Sequence, residues 1–125
     1  MANPLLAINY VADAAIPINR IVKFGTGDRA VALAAGAGES LIGVVNETAA
    51  ALGERVDVVR VGIAWVEASA AITRGALITS DPTGRAVTAA PGAGLNNRII
   101  GIADESASAA GDVIRFMLAP GMLQG

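Results

Sequence analysis

Arg29-Ala30-Val31 returns as Arg85-Ala86-Val87, 56 residues further along the chain, and its surroundings return with it. Upstream, Ile21-Val22-Lys23-Phe24 is matched by Leu77-Ile78-Thr79-Ser80; downstream, Gly36-Ala37-Gly38 is matched by Gly92-Ala93-Gly94. The second copy then carries two extra residues. After them Ile42-Gly43-Val44 meets Ile100-Gly101-Ile102, and Asn46-Glu47-Thr48-Ala49 meets Asp104-Glu105-Ser106-Ala107. Gly53-Glu54 answers Gly111-Asp112. Self-similarity of this kind identifies one supersecondary unit used twice. The two copies run over about residues 14–67 and 68–119.

Each copy reads as strands. An extended apolar run (Ile18 to Phe24; Ala76 to Thr79) ends in Gly25-Thr26-Gly27-Asp28 or Ser80-Asp81-Pro82-Thr83-Gly84. In such turns Gly supplies positive φ and Asp bonds the backbone that follows. A short strand comes next, Arg29 to Leu33 or Arg85 to Ala89, which makes a hairpin. A Gly/Ala loop leads to Leu41 to Val45 or Arg98 to Ala103. An Ala-rich link, with at most one helical turn, then reaches Val56 to Val66 or Val113 to Leu118. Val59, Val61, Ile63 and Trp65 share one parity, the period-2 signature of a half-buried strand. Gly62 among them marks a bulge or a close backbone approach. Alanine is the best helix former, yet no stretch holds a 3.6-residue apolar stripe. The expected fold is all-β, a small β-sandwich or barrel with a pseudo-twofold core.

Composition bounds the function. One domain's worth of chain, 125 residues, carries 54% hydrophobic residues but only four aromatics: Tyr10, Phe24, Trp65 and Phe116. The core is therefore built from small aliphatic side chains. Nine cations, none adjacent to another, and a net charge of −2 leave no basic stripe for nucleic acid. There is no cysteine and no histidine, which removes disulfides, thiolate sites and the commonest general base and metal ligand. Met1-Ala2-Asn3-Pro4 lacks the charged and apolar regions of a signal peptide. No apolar run approaches a membrane span. A protein made in the cytoplasm, with no membrane partner, is expected.

Candidate chemistry fails by inventory. A phosphate loop needs G-x-x-x-x-G-K-[ST], and the single lysine, Lys23, precedes its glycines. Gly36-Ala37-Gly38-Glu39 would place a carboxylate where an anion should sit. Glu47 and Glu105, and likewise Glu54 and Asp112, occupy equivalent repeat positions, which assigns them to turns or a solvated rim. A calcium site wants six to eight oxygens from a dense acidic loop, and none occurs. Lys23 lies in mid-strand between Val22 and Phe24, unlike the exposed swinging lysine of a lipoyl or biotinyl carrier. No serine has a histidine partner. The reading is a non-enzyme with no catalytic residue, cofactor, metal or small-molecule substrate.

The ordered motifs resemble the capsid cement, or head decoration, proteins of tailed phages. The resemblance spans residues 14–119. Its marks are Ile18-Asn19-Arg20-Ile21-Val22, Leu41-Ile42-Gly43-Val44-Val45-Asn46-Glu47, Gly53-Glu54-Arg55-Val56, Val61-Gly62-Ile63-Ala64-Trp65, Arg74-Gly75-Ala76-Leu77-Ile78 and Ile100-Gly101-Ile102-Ala103-Asp104. One departure is Pro17-Ile18-Asn19-Arg20, where the pattern usually has Gly before the first strand. Like the lambda-type decoration proteins, such a chain is expected on the capsid exterior of the virion. There it would bind the major capsid protein and clamp neighbouring copies, commonly as a homotrimer. Other readings are a head-fibre or tail accessory component, or a small β-type binding module.

Residues 1–13 lie outside both copies. Pro4, Leu5, Leu6, Ile8 and Tyr10 make this segment too apolar for a disordered tail. The expectation is an extended N-terminal arm, ahead of a single β domain over 14–125, that adds a strand to a neighbouring subunit or capsid protein; the alternative is an edge strand folded back on its own core. With Trp65, placed near a subunit contact, these are the expected interface residues.

Overall fold

The computed structural model describes residues 3–125. Nine strands follow one another: β1 (Asn3–Ala12), β2 (Arg20–Phe24), β3 (Ala30–Leu33), β4 (Leu41–Val45), β5 (Arg55–Glu67), β6 (Leu77–Ser80), β7 (Ala86–Thr88), β8 (Asn96–Ala103) and β9 (Val113–Gln124). There is no helix among the described residues, and the Ala-rich links are extended. Ala50 in the first link exchanges both backbone hydrogen bonds with Ile16, at 2.8 and 3.0 Å. Ala107 in the second does the same with Ile72, at 2.9 and 2.9 Å. Pairing to a distant segment satisfies the backbone that a helix would otherwise satisfy locally.

The strand order is β1-β3-β2-β4-β5-β9-β8-β6-β7, with β1 also paired to β5. The β1–β5 ladder closes the first five strands into a barrel. β5 then continues into a second ring with β9, β8, β6 and β7, which closes through a parallel bridge between Ala68 and Ala86. Read outward from the β5–β9 pair, the two halves have the same order: β4, β2, β3 on one side and β8, β6, β7 on the other. The expected barrel of two tandem units is therefore present as two small barrels that share β5.

The interiors repeat as well. Val22, Ile42, Val56 and Val58 line the first core; Ile78, Ile100, Ile114 and Phe116 take the same places in the second. β5 serves both, with Val56 and Val58 in the first core and Ala64 and Val66 in the second. The alternation along β5 holds, but the deeper face is not the one with the larger side chains. Val61 is exposed and Ile63 and Trp65 are half-buried, while the small Ala64 and Val66 are buried. Ala64 and Val66 share that second core with the fully buried Ile78, Ile100 and Phe116. Gly62, at φ 106°, lies where the β1–β5 register shifts, as expected of a bulge.

The arm expectation is corrected. Residues 1 and 2 lie outside the described residues, but Asn3–Ala12 pairs antiparallel with β5 of its own chain, from Asn3 opposite Ile63 to Val11 opposite Arg55. The segment also belongs to the repeat. Ala12 bonds Glu54 and Gly53 as Ala68 bonds Asp112 and Gly111. β1 therefore stands to β5 as the second half of β5 stands to β9. The sequence alignment missed this because Tyr10-Val11-Ala12 and Val66-Glu67-Ala68 share little beyond alternation.

Asn19 explains the departure before the first strand. It has φ 63°, and its counterpart Gly75 has φ 92°. Asn is one of the few residues that tolerates this left-handed region. Its side-chain oxygen also accepts a 3.1 Å hydrogen bond from Asn46.

Candidate interaction surface

No pocket opens among the described residues, and no cluster of acidic residues there could hold a metal ion. The polar groups are spent on structure. Glu54 accepts the Ala51 N–H at 2.7 Å, and Asp112 accepts the N–H and hydroxyl of Ser108 at 2.8 and 2.9 Å. These Ser108 bonds, with one from the Ala109 N–H, hold the Asp112 carboxyl below its usual range. Both acids thus close the turn that the repeat assigned to them.

Glu39 completes its Gly-rich loop in the same way. It pairs with Lys23 on β2 and accepts the Ala35 N–H. The hydrogen bond from Lys23 outweighs partial burial and holds this carboxyl low. At Asp81, burial is the largest influence and opposes ionisation. Hydrogen bonds from the Arg85 and Thr83 N–H groups and the Thr83 hydroxyl together overcome it and lower the pKa.

Charges also fasten one repeat to the other. Arg20 of the first copy reaches Glu67 at 3.5 Å and the Thr83 carbonyl at 3.0 Å. Glu67 in turn meets Arg85 at 3.4 Å. Asn46 accepts from the Trp65 N–H at 2.9 Å and donates to the Trp65 carbonyl at 2.8 Å, fixing the β4 end against β5.

Apolar side chains also lie outside. Leu77, Ile102, Met117 and Ile63 are direct cross-strand partners across β6, β8, β9 and β5. Paired residues point to the same face of a sheet, and the neighbours Ile78, Phe116 and Ala64 point inward. The four therefore form one row on the outer face. Trp65, half-buried, lies two residues beyond Ile63 on that face, opposite Arg115. A second exposed group sits at the start of β1, where Pro4, Leu5 and Leu6 lie beside Gly62 and Val61.

The expected interface residues divide accordingly. Pro4, Leu5, Leu6 and Ile8 are exposed, and Trp65 borders the outer row. Tyr10 is corrected: it is buried in the first core, with its hydroxyl bonded to Arg60 at 2.5 Å. Its counterpart in the repeat is the buried Val66, and the barrel takes both inward. Sequence reasoning missed Leu77, Ile102 and Met117 as surface. The available signal was the parity opposite Ile78 and Phe116, but apolar residues on both faces conceal which face is outside.

The described residues thus form a two-repeat β module with apolar rows on its exterior. The family profile of phage cement proteins matches residues 3–118, and the chain belongs to that family. It is a structural protein of the phage virion, associated with the head. Among solved structures, it is similar to the N base of head fibre gp8.5 of bacteriophage phi29. The TM-score is 0.70 at 18% identity, covering 96% of this chain and 98% of that one. No curated protein sequence matches the chain.

Proposed function

We propose that this cement protein binds the outer surface of an expanded phage capsid and clamps neighbouring major capsid proteins, acting as a homotrimer. The observation that carries the reading is the family match over residues 3–118 on a molecule whose spare apolar side chains lie on its exterior. A clamp needs complementary surface and no reaction. Standard protein interfaces bury roughly 1,600 Å², and an oligomer multiplies a modest single contact through avidity.

The capsid-facing surface in this reading is the start of β1. Pro4, Leu5 and Leu6 are exposed there, and β3 pairs with β1 only at Val11 and Ala12. The other edge of β1 before Val11 is thus free of β3, so a capsid segment can add a strand. Pro4 has no N–H to donate, which suits the end of such an edge.

Cosedimentation with capsids of the encoding phage tests this. The protein should pellet with expanded shells and not with unexpanded ones. Leu5→Glu should weaken that binding tenfold or more while leaving the melting temperature unchanged. Equal binding to both shell forms, or none to either, would reject the clamp. The likeness to a head-fibre base favours one second reading, a base that carries a fibre on the head. In that case the protein would bind the shell without raising its resistance to heat.

A further inference from the structure

The two repeats differ in what covers their outer faces. In the first, Ile21, Val44 and Val59 form a cross-strand row over β2, β4 and β5. In the second, Leu77, Ile102 and Met117 form the same row over β6, β8 and β9. The match extends to backbone detail. A Cβ on Gly43 would strike Val58 and the Val59 carbonyl, and one on Gly101 would strike Phe116 and the Met117 carbonyl. Yet the first row is 0%, 0% and 5% exposed, and the second 37%, 39% and 44%.

The second repeat makes this difference. Ile21, Val44 and Val59 lie in one continuous apolar cluster with Ala64, Ile100, Phe116 and Leu118. The 80–84 turn seats on the same face, with Gly84 accepting the Ile21 N–H at 2.7 Å. Among the described residues nothing plays this part for Leu77, Ile102 and Met117, which stay 37%, 39% and 44% exposed. In the first repeat the counterparts of Ile100 and Phe116, Ile42 and Val58, are buried in its own core, but two covering parts stand exposed. Ile8, the counterpart of Ala64, is 38% exposed, and Thr26–Asp28, in the turn corresponding to 80–84, is exposed.

We propose that a second copy of this chain covers the Leu77–Ile102–Met117 row. Its first repeat sits there as the second repeat sits on Ile21, Val44 and Val59 within one chain. The occupant is argued from continuity with the interface already inside the molecule: one chain carries both halves of the contact, each unpaired. Such a contact is head-to-tail, so it closes into a ring if its rotation allows. The inference deepens the self-association part of the proposed function, since a trimer requires a contact of this kind, and it does not depend on the capsid.

Light scattering on the full chain, without capsids, tests it. The wild type should form an oligomer, and Ile102→Glu and Met117→Glu should each reduce it to the 12.5 kDa monomer with an unchanged melting temperature. Ile8→Glu, on the covering side, should do the same. Mixing Ile102→Glu with Ile8→Glu leaves one intact pair of faces and should give a particle of two chains. If Ile8→Glu melts early, the two row variants decide alone. An oligomer that survives both row variants overturns this surface while leaving self-association standing. A mixture of folded variants that stays monomeric overturns the head-to-tail arrangement. A wild type that is monomeric at every concentration overturns both.

Discussion

Thr79 is buried on β6, and its hydroxyl has no hydrogen-bond partner among the described residues. Burying an unpaired hydroxyl costs free energy that an isosteric methyl group does not. Thr79→Val should therefore raise stability by about 1 kcal/mol, or a melting temperature gain of about 4 °C, read by calorimetry. The carboxylates set the pH response. Glu39, Asp81 and Asp112 all have lowered pKa values, so folding favours their ionised forms. Their contribution is complete above the ordinary carboxylate range and is lost as pH falls through the lowered folded values. With no histidine in the chain, nothing comparable titrates between about pH 5.5 and 7.5. Urea midpoints should be flat across that range and fall below about pH 4; a step near pH 6.5 would contradict this.

At the scale of elements, Gly43 and Gly101 explain the motif that recurs as Ile-Gly-Val and Ile-Gly-Ile. Each glycine lets the partner strand's carbonyl press where a Cβ would stand. Gly43→Ala and Gly101→Ala should each destabilise by about 3 kcal/mol, the upper part of the overpacking range. Denaturant unfolding checks this, and the two losses should be similar because the sites are images of each other. Most strand positions were legible from alternation and turn residues. Leu41–Val45 is as the pattern places it, and β2, β3 and β6 differ by a residue or two at their ends. The last half of β9 was not legible, because Ala119-Pro120-Gly121 reads as a break. It stays extended because residues 121–124 pair with 96–99 of β8, a tertiary contact that overrides local preference.

For the whole molecule, the accessible surface of 6148 Å² is close to the roughly 6,200 Å² expected of a compact monomer of this mass. The chain therefore buries a normal share of its surface alone, despite having few aromatics. β1 is part of that burial, since it closes the first barrel and supplies Tyr10 and Ala12 to its core. Deleting residues 1–13 should then abolish the cooperative thermal transition or lower its midpoint by more than 10 °C, followed by circular dichroism. A truncated protein that melts like the full chain would restore the detached-arm picture. The cost of deletion follows from topology, because an opened barrel exposes both its core and a sheet edge.

By itself, the sequence determined that this chain is all-β, that it is built from one unit used twice, and that it has neither histidine nor cysteine. Those properties live in short-range alternation, in turn residues and in composition, and each can be read without knowing what touches what. Only the tertiary structure decided that β1 belongs to the repeat, that Tyr10 points inward, and that β5 is shared by two barrels. The same holds for the contrast between Ile21, Val44, Val59 and Leu77, Ile102, Met117. Both rows are equally apolar in sequence, because alternation specifies that a strand has two faces and cannot specify which neighbour covers each. In this chain the second repeat covers the row of the first, and the row of the second is left exposed.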